Sequence, residues 1–133
     1  SNDTTAANFY GYERGTTVYD GRPTSTTGYI GLIYPSDYGY SVLSSNCARS
    51  TSLNSYNTFS CAGQSWLYGK GIVWTLTPRS SNNNYVFYIH YLGTINHYNS
   101  TNGHGVRPVL YLDSSVYKID GNGTLDNPYI IGM

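Results

Sequence analysis

The segment from Trp74 to Leu112 constrains this chain more than any other. It opens on Trp74-Thr75-Leu76-Thr77-Pro78-Arg79 and closes on Gly105-Val106-Arg107-Pro108-Val109-Leu110. Both ends have framework character: aromatic, apolar and punctuated by proline, with one arginine each. Between them runs a series of Asn, Tyr, His, Ser and Thr with only a few apolar residues at spaced positions. Such a middle has little to bury. It must be held at intervals by anchors, and the rest is offered outward. A fixed frame around a polar, aromatic insert is the pattern of a recognition surface.

The insert has hairpin logic. Val86-Phe87-Tyr88-Ile89 reads as one strand, Tyr91-Leu92-Gly93-Thr94 as the turn, and Ile95 begins the return. Period-2 alternation along a strand separates anchors from outward residues. Val86, Phe87, Ile89 and Ile95 are the apolar anchors, and two adjacent anchors imply a bulge. That leaves Asn82, Asn83, Asn84, Tyr85, Tyr88, His90, Tyr91, Thr94, Asn96, His97, Tyr98, Asn99 and Thr101 as candidate contact positions. Leu92, at the hairpin tip, fits either role. Arg79 and Arg107 flank the insert, either as a ligand clamp or, as we favour, bonded to backbone carbonyls beneath the loops. Trp66 and Trp74 are expected in the core.

The rest of the chain reads as one domain, residues 1–133, with enough length for a single core. Asn8-Phe9-Tyr10-Gly11-Tyr12 and Thr16-Thr17-Val18-Tyr19 are β-rich, with a turn at Glu13-Arg14-Gly15 between them. Tyr29 to Tyr34 is a candidate buried strand ended by Pro35, and Val106 to Leu112 reads as a further strand, with Pro108 at a bulge or strand end. Residues 36–70 read as a long irregular excursion. A short helix fits at Ser36–Tyr40 or Val42–Arg49, and Val42, Leu43, Leu53 and Phe59 are its scattered anchors. A loop of that length needs a staple. Cys47 and Cys61 are the only cysteines, and a bridge between them closes a loop of about 14 residues, worth roughly 3 kcal/mol in the chain-entropy model. Ser65 to Tyr68 then packs back, and Asp120-Gly121-Asn122-Gly123 is a turn.

Composition narrows the function classes. Charged residues are only 11% of the chain and balance to a formal net charge of zero. Nucleic acid and anionic membranes, which favour basic stripes, are therefore poor candidates as partners. No apolar run approaches the roughly 20 residues needed to span a bilayer, and no signal peptide precedes Ser1, which reads as a processed start. Tyrosine is the outlier, with 16 residues against 3 Phe and 2 Trp. Its ring offers contact area and its hydroxyl a hydrogen bond at low entropic cost, as in binding loops rich in Tyr, Ser, Gly and Asn. A paired-cysteine chain of this composition suits an oxidising, extracellular setting.

Catalytic and metal signatures do not emerge. There is no Gly-x-Ser-x-Gly elbow, phosphate loop or His-Glu-x-x-His. Glu13 is the only glutamate and reads as a local ion pair with Arg14. Asp37 and Asp113 have nothing in the sequence to bring them together as a glycosidase pair. His90, His97 and His104 match no zinc pattern and read as contact residues. The expectation is a protein that is not an enzyme, with no cofactor and no metal.

Four stretches together resemble a known group: Asn8 to Glu13, Gly31 to Tyr40, Trp74 to Pro78 and Gly105 to Leu112. They look like C-terminal modules of pilin-like surface proteins from Gram-positive gut bacteria, modules that in turn resemble the C-type-lectin-like variable proteins diversified by retroelements. The likeness runs from about Phe9 to Ile131. It implies an α+β, C-type-lectin-like fold, a twisted antiparallel β-sheet with little helix and long loops. It also implies a prepilin helix ahead of the module and a diversified ligand-binding segment at about 80–104. Adenine-directed diversification of Asn-type codons yields Asn, Tyr, His, Ser, Thr, Asp and Leu but not Lys, Glu, Gln, Met or Trp, and none of the latter occurs from Arg79 to Gly105. The implied function is a cell-surface adhesion module whose ligand is a protein or a glycan. The alternative is a structural pilin subunit whose tyrosine-rich face packs on other pilin subunits in a fibre. The Glu-Pro-Asn of calcium-dependent sugar sites is absent, so that chemistry does not carry over.

Overall fold

A computed structural model describes residues 4–42, 47, 50–57, 61–124 and 126–133. The first element is a helix, α1 (Ala6–Glu13), where the sequence suggested a strand. The physical reason is at its start. Thr5 has extended backbone and its Oγ1 accepts from the Asn8 amide at 3.2 Å, an N-cap followed by two alanines. Ala6 and Phe9, one turn apart, are both buried. The tyrosine-rich stretch is therefore the outer side of a helix, with Tyr10 and Tyr12 exposed. Residues 16–19, also expected as a strand, are irregular.

The candidate strand at 29–34 shrinks to β1 (Gly31–Leu32), because Tyr29 is 98% exposed and only Ile33 is buried. Pro35 then opens the short helix α2 (Pro35–Ser41) at its first position, where the missing N–H costs nothing. α2 lies against α1. A Cβ on Gly39 would come within 2.7 Å of Ala6 Cβ and 2.8 Å of Leu53 Cδ2, so glycine permits that close packing. The alternative helix at 42–49, with the anchors Leu43 and Phe59, lies largely outside the described residues. The excursion continues through 3-10 turns at Leu53–Ser55 and Ala62–Gln64. It is stapled by the Cys47–Cys61 disulfide, whose Cα atoms are 5.3 Å apart.

The central sheet is antiparallel in the order β2 (Val73–Pro78), β3 (Tyr85–Ile89), β4 (Ile95–Asn99). Two small sheets flank it. One pairs β1 with β5 (Pro108–Val109), with Pro108 at the strand start opposite Leu32. The other pairs β6 (Tyr117–Asp120) with β7 (Ile130–Gly132). The fold is thus α+β with mostly antiparallel strands. One cluster that includes Phe9, Ile33, Tyr38, Leu53, Tyr56, Leu67, Ile89 and Ile95 forms the core, and both disulfide cysteines belong to it. The hairpin turn is tied to this core, because the buried Tyr38 hydroxyl donates to the Gly93 carbonyl oxygen at 2.6 Å. Gly93 itself has φ +91° and leaves no room for a Cβ, which would sit 1.9 Å from Ala62 Cβ.

Two expectations about the frame are corrected. Trp66 is 56% exposed while its neighbour Leu67 is buried, so the chain packs back through leucine and not tryptophan. Glu13 is not paired with Arg14. Its carboxylate accepts from the Ser36 amide at 3.2 Å, from the Ser36 hydroxyl and from Thr77 Oγ1 at 3.4 Å, while the Arg14 guanidinium stacks 3.5 Å from the Tyr10 ring centroid. Burial pushes the Glu13 carboxyl above its ordinary value.

Candidate ligand-binding face

Register decides which residues the central sheet shows to each side. Val73 pairs with Ile89 and Trp74 with Tyr88. Across the hairpin Val86 pairs with Tyr98, Phe87 with His97, Tyr88 with Asn96 and Ile89 with Ile95. Alternation then puts Val73, Thr75, Phe87, Ile89, Ile95 and His97 on the inner side. Trp74, Val86, Tyr88, Asn96 and Tyr98 fall on the outer side. The expected bulge between Val86 and Phe87 is not there. Val86 faces out with the contact residues, and the irregularity lies on β2, between Trp74 and Pro78.

The outer residues form a continuous aromatic band. Tyr88 meets the Trp74 indole edge to face at 5.9 Å, and His104 lies 4.4 Å from Trp74 and 5.1 Å from Tyr88. The band runs on through His90, 6.4 Å from Tyr88, to Tyr91, 4.1 Å from His90. His104 is brought in by the chain after the hairpin. The Trp74 amide donates to the Gly105 carbonyl at 2.9 Å and the Gly105 amide to Ile72 at 2.8 Å. Tyr98 stands beside this band with about half its surface in solvent. Burial, and then the Tyr98 hydroxyl, raise the Tyr88 phenol above its ordinary value, so it remains a neutral hydroxyl at neutral pH.

The turn that ends the band is closed by its own hydrogen bonds. The His90 amide donates to Thr94 at 2.8 Å and the Gly93 amide to His90 at 2.7 Å, while Leu92 donates its amide to His90 Nδ1 at 3.3 Å. Asn96 donates to Thr94 Oγ1 at 3.0 Å. Leu92 and Tyr91 are exposed at the tip.

The candidate contact positions therefore divide. Tyr88, His90, Tyr91, Asn96 and Tyr98 are brought together on the outer face, with Thr94 at its turn. Asn82, Asn83, Asn84, Tyr85, Asn99 and Thr101 lie at the opposite end of the hairpin. Several of these serve the backbone: Asn82 Oδ1 accepts from the Asn84 amide at 3.1 Å, and Asn99 Oδ1 accepts from the Thr101 amide and hydroxyl at 3.0 Å each. Arg22 donates to the Asn83 carbonyl, and Tyr85 reaches Tyr98 at 6.5 Å.

His97 is the displaced member. It faces inward against Phe87 and Tyr85, each with its ring centroid 5.6 Å away, and its Nε2 lies 2.6 Å from Arg79 Nη1. A guanidinium can only donate, so Nε2 accepts and the ring is neutral with its proton on Nδ1. Burial and the Arg79 charge both lower the His97 pKa. Nδ1 is buried and has no partner among the described residues. Arg79 thus serves a side chain and not the expected carbonyl, whereas Arg107 does donate to the Lys70 carbonyl at 3.3 Å.

Sequence reasoning left Trp74 and Val86 out of the contact set, and it read His104 as a contact residue without joining it to this face. Trp74 and Val86 follow from register, which a one-residue shift reverses. His104 depends on the bridge between Val73 and Gly105, a pairing 32 residues apart that no local pattern announces. Trp66, with Arg107 6.0 Å from its ring centroid, forms a second exposed aromatic group nearby in the chain path, because Gly69 donates to the Tyr91 carbonyl at 3.1 Å. No group of three or more His, Cys, Asp and Glu side chains converges among the described residues, and no described helix is long and apolar enough to cross a membrane. Compared with protein-family models, with curated proteins and with solved structures, the chain matches none.

Proposed function

We propose that this chain is a non-enzymatic, extracellular ligand-binding module with a C-type-lectin-like fold, in the manner of the retroelement-diversified variable proteins that it resembles. Its binding face is the outer side of the β2-β3-β4 sheet. One observation carries the reading: Trp74, Tyr88, His90, Tyr91 and His104 touch ring to ring, with half-exposed Tyr98 alongside. Rings that support one another lose little freedom on binding. They present the large amphipathic area that concentrates binding energy in protein interfaces. Asn96 and the tyrosine hydroxyls add directional hydrogen bonds. The disulfide is compatible with a cell-surface location.

The test is a screen of host glycans and proteins with the native chain and the Tyr88→Ala and Tyr98→Ala variants. Each variant weakens binding to any captured target by roughly tenfold or more, as truncation of an aromatic anchor does. Unaltered affinity in both removes the face from the reading.

A structural pilin subunit is the second reading, and a different surface favours it. Tyr117, Ile119, Tyr129, Ile130 and Ile131 are all about half exposed on the β6–β7 hairpin, an apolar concentration of the kind that marks association surfaces. Concentration-dependent self-association in sedimentation experiments, abolished by Ile119→Lys and not by Tyr98→Ala, identifies it.

A further inference from the structure

The inner side of the sheet borders a feature that the binding face does not use. α1, the segment after it and the end of β2 enclose a cleft of about 1000 Å³, at the upper end of the size range for small-molecule sites. Phe9 and Phe87, edge to face at 5.0 Å, and Leu76 give it an apolar wall.

Three charged side chains line this cleft, Glu13, Arg14 and Arg79, and they differ in what they lack. The Arg14 guanidinium is stacked on the Tyr10 ring and donates to the Tyr10 carbonyl at 3.5 Å. The Glu13 carboxylate is already satisfied from within the fold by Ser36 and Thr77. Arg79, two residues beyond Thr77, is half-buried, and one of its Nη atoms donates to the neutral His97 ring at 2.6 Å. Among the described residues it has no carboxylate partner, and its remaining N–H donors are unused. A guanidinium held in place by one bond, partly withdrawn from water and without a counter-charge, is suited to a bidentate anion. Glu13 in the same cleft disfavours a dianion by like-charge repulsion. The aromatic wall asks for an apolar body on the same molecule.

We propose that this cleft binds a small amphipathic monocarboxylate, with its carboxylate on Arg79 and its aryl or alkyl body against Phe9, Phe87 and Leu76. The site is separate from the outer face and stands whether or not that face binds a ligand. His97 acts as a positioning residue, turning the Arg79 fork toward the cleft.

The test uses the full chain and a panel of benzoate, phenylbutyrate and octanoate, each beside its neutral amide, with inorganic phosphate as the dianion. Calorimetry and NMR titration are the readouts. At least one acid binds saturably and moves the amide signals of Leu76 and Phe87, and its amide and phosphate bind roughly tenfold more weakly or worse. Arg79→Gln lowers acid affinity by a similar factor, Arg79→Lys by less, and Tyr98→Ala leaves it unchanged. The comparison of acid with amide needs no variant, so it decides the matter even if Arg79→Gln unfolds. The proposal is overturned if no acid binds below about 10 mM, if acids and amides bind alike, or if the bound acid shifts outer-face signals and Tyr98→Ala weakens it.

Discussion

On the inner side of the β3–β4 hairpin, Phe87, Ile89 and Ile95 pack into the core and His97 is held by Arg79. On the outer side, Val86, Tyr88, Asn96 and Tyr98 meet the rings of Trp74 and His104 or solvent. Alternate residues of the same two strands thus work under different constraints. An inner residue is fixed by groups from α1, β2 and the 3-10 turns, so a change there is felt across the fold. An outer residue is fixed mainly by its neighbours on the same face, so a change there alters what the surface offers and little else. A strand alternation of two residues is enough to separate a frame from a display.

The contrast breaks most readily at Ile89, which is 1% exposed. Ile89→Ala should cost about 2–5 kcal/mol in denaturant unfolding, through lost burial and the cavity left behind. Tyr98→Ala, one strand away on the outer side, should stay within about 0.5 kcal/mol of the native value. Equal costs would dissolve the distinction. A smaller effect is expected at the tether between core and turn. Tyr38→Phe removes the hydroxyl that donates to Gly93 and leaves that carbonyl unpaired, at about 1–2 kcal/mol in the same measurement.

The smallest effect sharpens the contrast through pH. Burial and Arg79 place the folded His97 pKa below its ordinary value of 6.5. The unfolded chain therefore takes up a proton that the folded chain resists. This contribution to stability is complete above pH 6.5 and declines as the pH falls from there toward the folded value. Melting temperatures across that range should fall more in the native chain than in His97→Asn. A parallel decline in both would mean that His97 is not held neutral.

The hairpin was legible in the sequence because its signals are local. Ile89 and Ile95 bracket a turn whose Gly93 needs a positive φ, and the structure places the turn at the expected residues. The Ser36–Tyr40 helix stood as one of two options, and Pro35, read as the end of a strand, is in fact its first residue. α1 was not legible. Asn8 to Tyr12 has the aromatic content of a strand, and the deciding features were a threonine cap and the docking of Gly39 against Ala6, which belongs to another part of the chain. Of the candidate site, the parity of Tyr88, Asn96 and Tyr98 could be read from alternation. The same alternation puts Val86 outward and His97 inward, against what their residue types suggest, while the Arg79 contact that holds His97 there has no signal in the sequence. Trp66 shows the limit of residue type as a guide. Its size suggested the core, but Leu67 occupies that place.

The central claim, that the outer side of this hairpin is a replaceable contact surface on an inflexible frame, is tested most directly by two displayed libraries sorted for protease resistance. One randomises Tyr88, Asn96 and Tyr98, the other Phe87, Ile89 and Ile95. The account predicts that most members of the first remain folded and that binders to an unrelated protein can be drawn from it, while few of the second survive. Comparable loss of folded members from both libraries would contradict it.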